Sequence, residues 1–346
     1  MRAHFKYNAE QLAPAMEKER MAECEGEAGK EHGTVAEVQR IDGKTLYRVC
    51  FRPASVPDGY ADGYQKGNGK MKAVAKYPGS KWRIADWIIS YFPQHHSYLE
   101  PFFGSGAVLF NKPRSDIETV NDIDGRVVNL FEWIKKDPER LAHEIYYTPY
   151  ARQIYENAYL EMPEDSLGQA VNFYIKLNMG YGLRTTGEKV GWKNDIQGRE
   201  KAYASKEWVN LPEKIIQAAE RLRGVQIENR PAAELIKKFN NSNVLIYCDP
   251  PYILSERHGK QYLHEMNDKE HEELLSVLLQ HRGPAMISGY KSLLYNEMLK
   301  SWHREETESR TQTGKKKKEI LWMNFEPEYM QMKMNDLEGA WKDEQI

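Results

Sequence analysis

Cysteine is scarce in this chain: the three that occur, Cys24, Cys50 and Cys248, lie far apart and are odd in number. That argues against a disulfide framework or a zinc cluster and predicts reduced thiols in a cytoplasmic protein. Long apolar runs are also missing, and none approaches the roughly 20 residues that a membrane-spanning helix needs. The N-terminus carries Glu17, Glu19, Glu23, Glu25 and Glu27, which is too acidic for a secretory signal. A strong charge of one sign is lacking as well, since the formal net charge is -2. Any affinity for nucleic acid must then come from local basic patches. What remains is ordinary for a globular protein, with 40% hydrophobic and 29% charged residues. A length of 346 residues accommodates a catalytic core and one modest extra domain.

The first seventy residues read as a separate extension. Residues 1–33 are polar and Glu-rich, as in a frayed helix or a disordered arm. From Val35 to Phe51 apolar and polar residues alternate on both sides of Asp42-Gly43. That pattern predicts a β-hairpin, because Asp-Gly tolerates the positive φ of a tight turn. The Gly/Pro/Asp-rich stretch 53–69 reads as a linker. Beyond Met71 the pattern is mixed α/β. Strands are expected at Tyr98-Leu-Glu-Pro-Phe-Phe103, Ile117–Val120, Val244–Cys248 and Ala285–Ser288. Helical periodicity fills 126–225 around a Gly-rich break, Asn178–Gly191. Asn267 and Glu270 form a capping-box pattern for a helix reaching about His281. A further helix is expected over Ser292–Trp302. Two closing strands are expected at about 303–311 and 319–325, with Lys315–Lys318 at the exposed tip between them. A parallel α/β sheet with an inserted domain and a final antiparallel hairpin is the simplest assembly.

The sharpest chemical signal is Asp249-Pro250-Pro251-Tyr252 at the end of a buried strand, where open α/β sheets bind ligands. The pattern suits an exocyclic adenine amine, whose lone pair is delocalised into the ring. A carboxylate (Asp249) and a carbonyl (Pro250) accepting its two N–H groups favour a tetrahedral nitrogen, its lone pair aimed at an electrophilic methyl. Pro250 and Pro251 stiffen the turn, and Tyr252 offers a ring on which an extruded base can stack. The plain alternative is a turn after a strand. The second signal is Glu100-Pro101-Phe102-Phe103-Gly104-Ser105-Gly106, a strand-to-helix turn that lets backbone approach a ligand. The third glycine of a dinucleotide fingerprint would fall at Leu109, which argues against that use. Asn121-Asp122-Ile123-Asp124 closes the next strand, where a carboxylate can hold ribose hydroxyls. Asp122 can equally be a helix cap, and Asn121 and Asp124 compete for that role.

Tyr77-Pro-Gly-Ser-Lys81, Phe102-Phe-Gly-Ser-Gly106, Asn121-Asp122 and Asp249-Pro-Pro-Tyr252 together resemble the ordered motifs of Dam-type DNA adenine N6-methyltransferases, over roughly residues 71–330. The resemblance implies a Rossmann-like methyltransferase sheet with a terminal antiparallel hairpin and an inserted, mainly helical target-recognition domain. It implies S-adenosylmethionine as cofactor, near Tyr77, Lys81, Phe102, Gly104, Gly106, Asp122 and Asp249. Catalysis then falls to Asp249, Pro250, Pro251 and Tyr252. The domains expected are the extension 1–70, a catalytic domain of 71–136 with 226–335, and a recognition domain of 137–225. Leu177–Arg184 resembles the family's recognition segment, and Glu319–Phe325 its C-terminal strands.

From Asn172 to Lys206 there are seven Lys or Arg against three Asp or Glu. Tyr174, Tyr181, Trp192 and Tyr203 are interleaved with them. Contacts to double-stranded DNA are expected from Arg184, Lys189 and Lys193. His95-His96, His264 and His271 lack companions at metal spacing, so no metal is expected. Cys248 reads as a small core residue rather than a nucleophile. The expected activity is site-specific transfer of methyl to adenine N6 by base flipping and direct in-line attack. Rival readings are amino-methylation of cytosine N4 or of an RNA base, and a catalytically silent DNA-binding regulator. The target site is open, with GATC a first guess, and so is service to a restriction system, a phage or host regulation. The extension packs on the core, binds DNA or binds a partner; the sequence does not choose.

Overall fold

The computed structural model describes residues 35–41, 44–50, 71–181, 184–194, 204–256, 259–310 and 316–327. The chain divides into two compact units, Met1–Gly69 and Lys70–Ile346. In the first, β1 (Val35–Ile41) and β2 (Lys44–Cys50) pair antiparallel, with Ile41 opposite Lys44. Two residues therefore connect the strands, as the alternation around Asp42-Gly43 predicts. The turn itself, the Glu-rich arm and the linker expected at 53–69 lie outside the described residues.

The second unit is built on a seven-stranded sheet. After helix α1 (Ala85–Ile89) come β3 (Ser97–Glu100), α2 (Ala107–Asn111), β4 (Ile117–Asn121) and α3 (Gly125–Lys136). Helices α4 (Pro138–Tyr147), α5 (Arg152–Leu160), α6 (Ser166–Met179), α7 (Ala204–Val209) and α8 (Leu211–Leu222) follow. The chain then returns to the sheet through β5 (Gln226–Glu228), α9 (Ala232–Lys238), β6 (Val244–Cys248), α10 (Asp268–Leu279) and β7 (Ala285–Gly289). It closes with α11 (Leu293–Met298), β8 (His303–Arg310) and β9 (Lys316–Met323). Spatial order is β5-β4-β3-β6-β7-β9-β8. The first five strands are parallel, while β9 runs antiparallel to both β7 and β8. This is the mixed α/β, Rossmann-like arrangement with a terminal hairpin that the motif order implies.

Strands β6 and β7 are buried at every residue, which is why they read as continuous apolar runs in the sequence. The pleat sends alternate residues to opposite faces. Leu245 and Tyr247 enter one core cluster, and Val244, Ile246 and Cys248 the other. The first cluster also contains Leu141, Ile145, Ile215 and Leu222, so helices of segment 137–225 share their core with the sheet. Helix starts follow local chemistry: Asp124, Asp137 and Asp165 cap α3, α4 and α6, and Asn267 with Glu270 closes a capping box on α10.

Two sequence expectations need correction. The helix expected over 292–302 ends at Met298, where Leu299 leaves helical geometry and only single turns continue to Trp302. The lysine run is not merely a hairpin tip. Lys316, Lys317 and Lys318 are the first residues of β9, opposite Arg310, Ser309 and Glu308. Acidic residues on β8 make lysines acceptable there: Lys318 pairs with Glu306 at 3.0 Å. Lys315 lies outside the described residues.

Candidate active site

The order in which strands are added to the sheet reverses between β3 and β6. From β3 the chain builds outward through β4 and β5; β6 and β7 lie on its other side. Ligands of such sheets occupy the crevice outside the strand ends at that switch point. A cleft of about 490 Å³ opens there, within the ~300–1,000 Å³ usual for small-molecule sites. It brings together Tyr77, Lys81, Phe102, Gly104, Asp122 and Asp249 from four separate stretches of chain.

On the β3–β4 side the cleft is acidic. Glu100, the last residue of β3, is buried and accepts a 2.8 Å hydrogen bond from the Tyr98 hydroxyl. Burial pushes its carboxyl up to about 8, against the lowering effect of that bond. Asp122 accepts the backbone N–H of Gly104 on Oδ2 and that of Asp124 on Oδ1, at 2.8 and 2.9 Å. Burial again dominates and raises its carboxyl to about 7. Asp124, not Asp122, caps α3, through the N–H of Arg126. Asn121 is occupied in holding the backbone of Pro101 and Arg230. Asp122 is thus the acidic residue left facing the cleft without a capping duty. Gly104 has φ +49° and lies against the Tyr77 ring, where a Cβ would sit 3.0 Å from a ring carbon. Gly106 is different: it does not line the cleft, and a Cβ there would sit 2.6 Å from the rings of Phe103 and Phe110. Its lack of a side chain serves packing.

On the β6 side the charges are closed within the chain. Asp249 follows β6, and its Oδ1 accepts from Ser288 Oγ at 2.8 Å and faces Lys81 Nζ at 2.9 Å. Lys81 Nζ also donates to the Gly79 carbonyl at 2.9 Å and lies 3.3 Å from Oε1 of Glu319. Burial opposes the ammonium, but the carboxylates of Asp249 and Glu319 outweigh it and hold the lysine well above its usual pKa. Glu319 is buried, and that burial lifts its carboxyl to about 7 despite Lys81. The Tyr252 hydroxyl donates to the same Oε1 of Glu319. Among the described residues, no hydrogen bond uses Oδ2 of Asp249 or the carbonyl of Pro250. Tyr252 stands behind the cleft, with Lys81 4.8 Å from its ring centroid and Tyr290 edge-on at 4.5 Å. Pro251 lines the cleft; Pro250 is buried under it.

The sequence reading missed Ser288, Glu319 and the loop carrying Tyr262 as site components. A polar residue closing the apolar run of β7 and an acid opening that of β9 were the available signals. Tyr262 roofs the cleft 6.0 Å from the Tyr77 ring, and Glu265 holds the backbone N–H groups of Gln261 and Tyr262. The expected nucleic-acid residues do not line this cleft. The loop after α6 is pinned by the Gly180–Trp192 bridge and by Lys193 N–H bonding to the Met179 carbonyl. Arg184 is exposed, Lys189 pairs with Glu156 at 3.3 Å, and Lys193 Nζ donates to the Asn178 carbonyl. Tyr181 is 52% exposed, whereas Tyr174 is fully buried and belongs to the core. Tyr203 lies outside the described residues. Cys248 is fully buried, as expected of a core thiol.

The profile of the D12 class N6 adenine-specific DNA methyltransferases matches residues 77–313. The chain is 25% identical over 195 residues to a DNA adenine methylase of Vibrio cholerae, covering 53% of this chain and 66% of that enzyme, just under two thirds of its length. It is 24% identical over 249 residues to a DNA adenine methylase of Escherichia coli, covering 66% of this chain and 84% of the relative. A type II methyltransferase of Lactococcus lactis, M1.LlaDCHI, is 24% identical over 269 residues, 73% of this chain and 93% of the relative.

Proposed function

The chain belongs to the D12 class N6 adenine-specific DNA methyltransferase family, and from that premise we propose that it methylates adenine N6 in double-stranded DNA, with S-adenosylmethionine as donor. The observation that carries this reading is the disposition of Asp249. One carboxylate oxygen is held by Ser288 and Lys81, and the other has no hydrogen bond among the described residues. That oxygen and the Pro250 carbonyl are the two acceptors an exocyclic amine requires.

The cleft fits the donor in size and in chemistry. Asp122 offers acceptors for ribose hydroxyls, Glu100 can take up negative charge beside a cationic ligand, and Phe102, Pro231 and Ala233 supply apolar walls. Both acids carry raised pKa values with no basic side chain within ion-pair distance among the described residues, the condition of groups that gain from a cationic partner. When bound, S-adenosylmethionine supplies an electrophilic sulfonium methyl. Asp249 and Pro250 accept the two N–H bonds of the target amine and turn its lone pair outward. Lys81 balances the charge of Asp249, and Ser288 fixes its rotamer. The proton released from the methylated nitrogen leaves through these same acceptors. Extruding the base costs a few kcal/mol, to be recovered in the pocket. Stacking on Tyr252 requires that ring to present a face now lying beside Lys81 and Tyr290.

We assign target recognition to segment 137–225 and DNA contact to Arg184, Lys189 and Lys193, in a protein acting in the cytoplasm. No helix of the described residues is long and apolar enough to cross a membrane. The deciding experiment is transfer of labelled methyl from S-adenosylmethionine to unmethylated genomic DNA, followed by nucleoside analysis. N6-methyladenine in the wild-type product, absent with Asp249→Ala, supports the reading. Label in N4-methylcytosine, label only in RNA, or none at all with cofactor binding intact, rejects it.

A further inference from the structure

Glu319 comes from β9, a strand absent from every motif that marks the site, yet its carboxylate sits at the centre of the polar network around Asp249. Oε1 is shared by Lys81 and Tyr252. Lys81 has three N–H donors, and three acceptors surround it: the Gly79 carbonyl, Asp249 and Glu319. Each removal has a definite consequence. Without Glu319 the ammonium keeps the Gly79 carbonyl, but Asp249 becomes its one carboxylate, the group that must accept the target amine. The Tyr252 hydroxyl loses a partner at the same time. The strand register explains how the acid reaches the site. Leu321 pairs with Ser288 and Ile320 with Gly289, so Glu319 lies one residue beyond the end of β7, level with the turn that follows β6. Its carboxylate is 3% exposed, at the point where the lysines of β9 give way to a buried apolar run, and such burial is costly unless the charge is used.

We propose that Glu319 is a positioning residue for methyl transfer: it divides the Lys81 ammonium between two carboxylates and anchors Tyr252, and so sets how strongly Asp249 accepts the target amine. This rests on the functional reading above. Glu319 acts through Lys81 and Tyr252 and need not touch the substrate. Its facing titratable groups are Lys81 from the loop before α1, and Asp249 and Tyr252 from the turn after β6. Tyr247 of β6 acts on the same lysine.

The test compares wild type with Glu319→Gln, which keeps the shape and an acceptor oxygen but not the charge, and with Glu319→Ala, which removes both. Binding of S-adenosylmethionine and of DNA is measured at equilibrium, and transfer in a single turnover. The expected result is a loss of roughly 100-fold in single-turnover rate for Glu319→Gln, a displacement effect of the size known for misplaced catalytic groups. Both affinities should stay within about threefold of wild type, and Glu319→Ala should be slower still. A thermal melt checks folding; if Glu319→Ala does not fold, Glu319→Gln decides alone. Equal single-turnover rates for wild type and Glu319→Gln overturn the inference while leaving the functional reading intact. So does a loss confined to cofactor affinity. A wild-type enzyme that transfers no methyl to DNA overturns the functional reading, and the inference with it.

Discussion

The two sides of the cleft hold buried carboxylates in opposite ways. On the β3–β4 side, Glu100 and Asp122 are held by a tyrosine hydroxyl and by backbone N–H groups. Among the described residues they have no basic side chain within ion-pair distance, and burial lifts them to about 8 and 7. On the β6–β9 side, Asp249 and Glu319 share the Lys81 ammonium. The first arrangement leaves a charge deficit for a ligand to fill. The second is closed in advance, so that little has to move when a substrate arrives. On the proposed function, the first side binds the donor and the second orients the acceptor amine.

Crossed substitutions break this comparison most directly. Asp249→Ala should lower single-turnover transfer by about 1,000-fold, the scale of losing a preorganised electrostatic contact, with cofactor affinity nearly unchanged by calorimetry. Asp122→Ala should do the reverse, costing roughly 10- to 100-fold in cofactor affinity with transfer at saturating cofactor far less affected. If both variants lose affinity and rate together, the division of labour is wrong.

A third buried cluster sharpens the contrast, since it has charge but no cleft. Glu118 takes both guanidinium N–H groups of Arg221 at 2.6 and 2.8 Å, and Lys112 Nζ at 2.6 Å. Burial opposes its charge, but those bonds hold its carboxyl down to about 2. The cluster ties α8 to β4. Arg221→Ala should therefore cost about 3 kcal/mol in urea unfolding while leaving transfer per folded molecule unchanged.

The pH dependence follows from the same difference. Glu100 and Asp122 have folded pKa values above their ordinary values of 4.5 and 3.8. Between about pH 4 and 8 the folded chain therefore binds more protons than the unfolded one, and stability falls as pH rises through that window. Glu118, held low, contributes stability that is complete above about 4.5 and lost only in stronger acid. The melting temperature of the ligand-free protein should thus decline from pH 5 to 8.5, and decline less in Glu100→Gln. Saturating S-adenosylmethionine should flatten the decline, because a cationic ligand favours the ionised acids. The smallest effect is expected at the periphery: Arg184→Ala should reduce the slope of log affinity for DNA against log salt by about 1.

Much of this site is legible in the linear order of residues. Asp249-Pro250-Pro251-Tyr252 and the Phe102–Gly106 loop declare themselves because backbone turns at strand ends need specific residues within a few positions. The capping box at Asn267 is local for the same reason. Gly106 is legible as a special position but not in its role, since the sequence cannot say that two phenylalanine rings occupy the space of its Cβ. Tyr174 looks like one of several aromatics among basic residues, and only packing shows it buried with its hydroxyl on the Val74 carbonyl. Glu319 and Ser288 are invisible as parts of one network, because they lie far apart along the chain and reach Asp249 and Lys81 only once β9 pairs with β7.

The sequence alone determined most of the elements, though not β5, the parallel α/β class of the sheet, and the two loops that converge on the switch point. These follow from hydrophobic period and turn chemistry, which act over a few residues. Which acid would share the lysine of Asp249, and which acids would be left without a cation, was decided only when β9 entered the sheet between β7 and β8. A carboxylate's charge depends on what surrounds it within about 4 Å, and only the closed sheet chooses those neighbours.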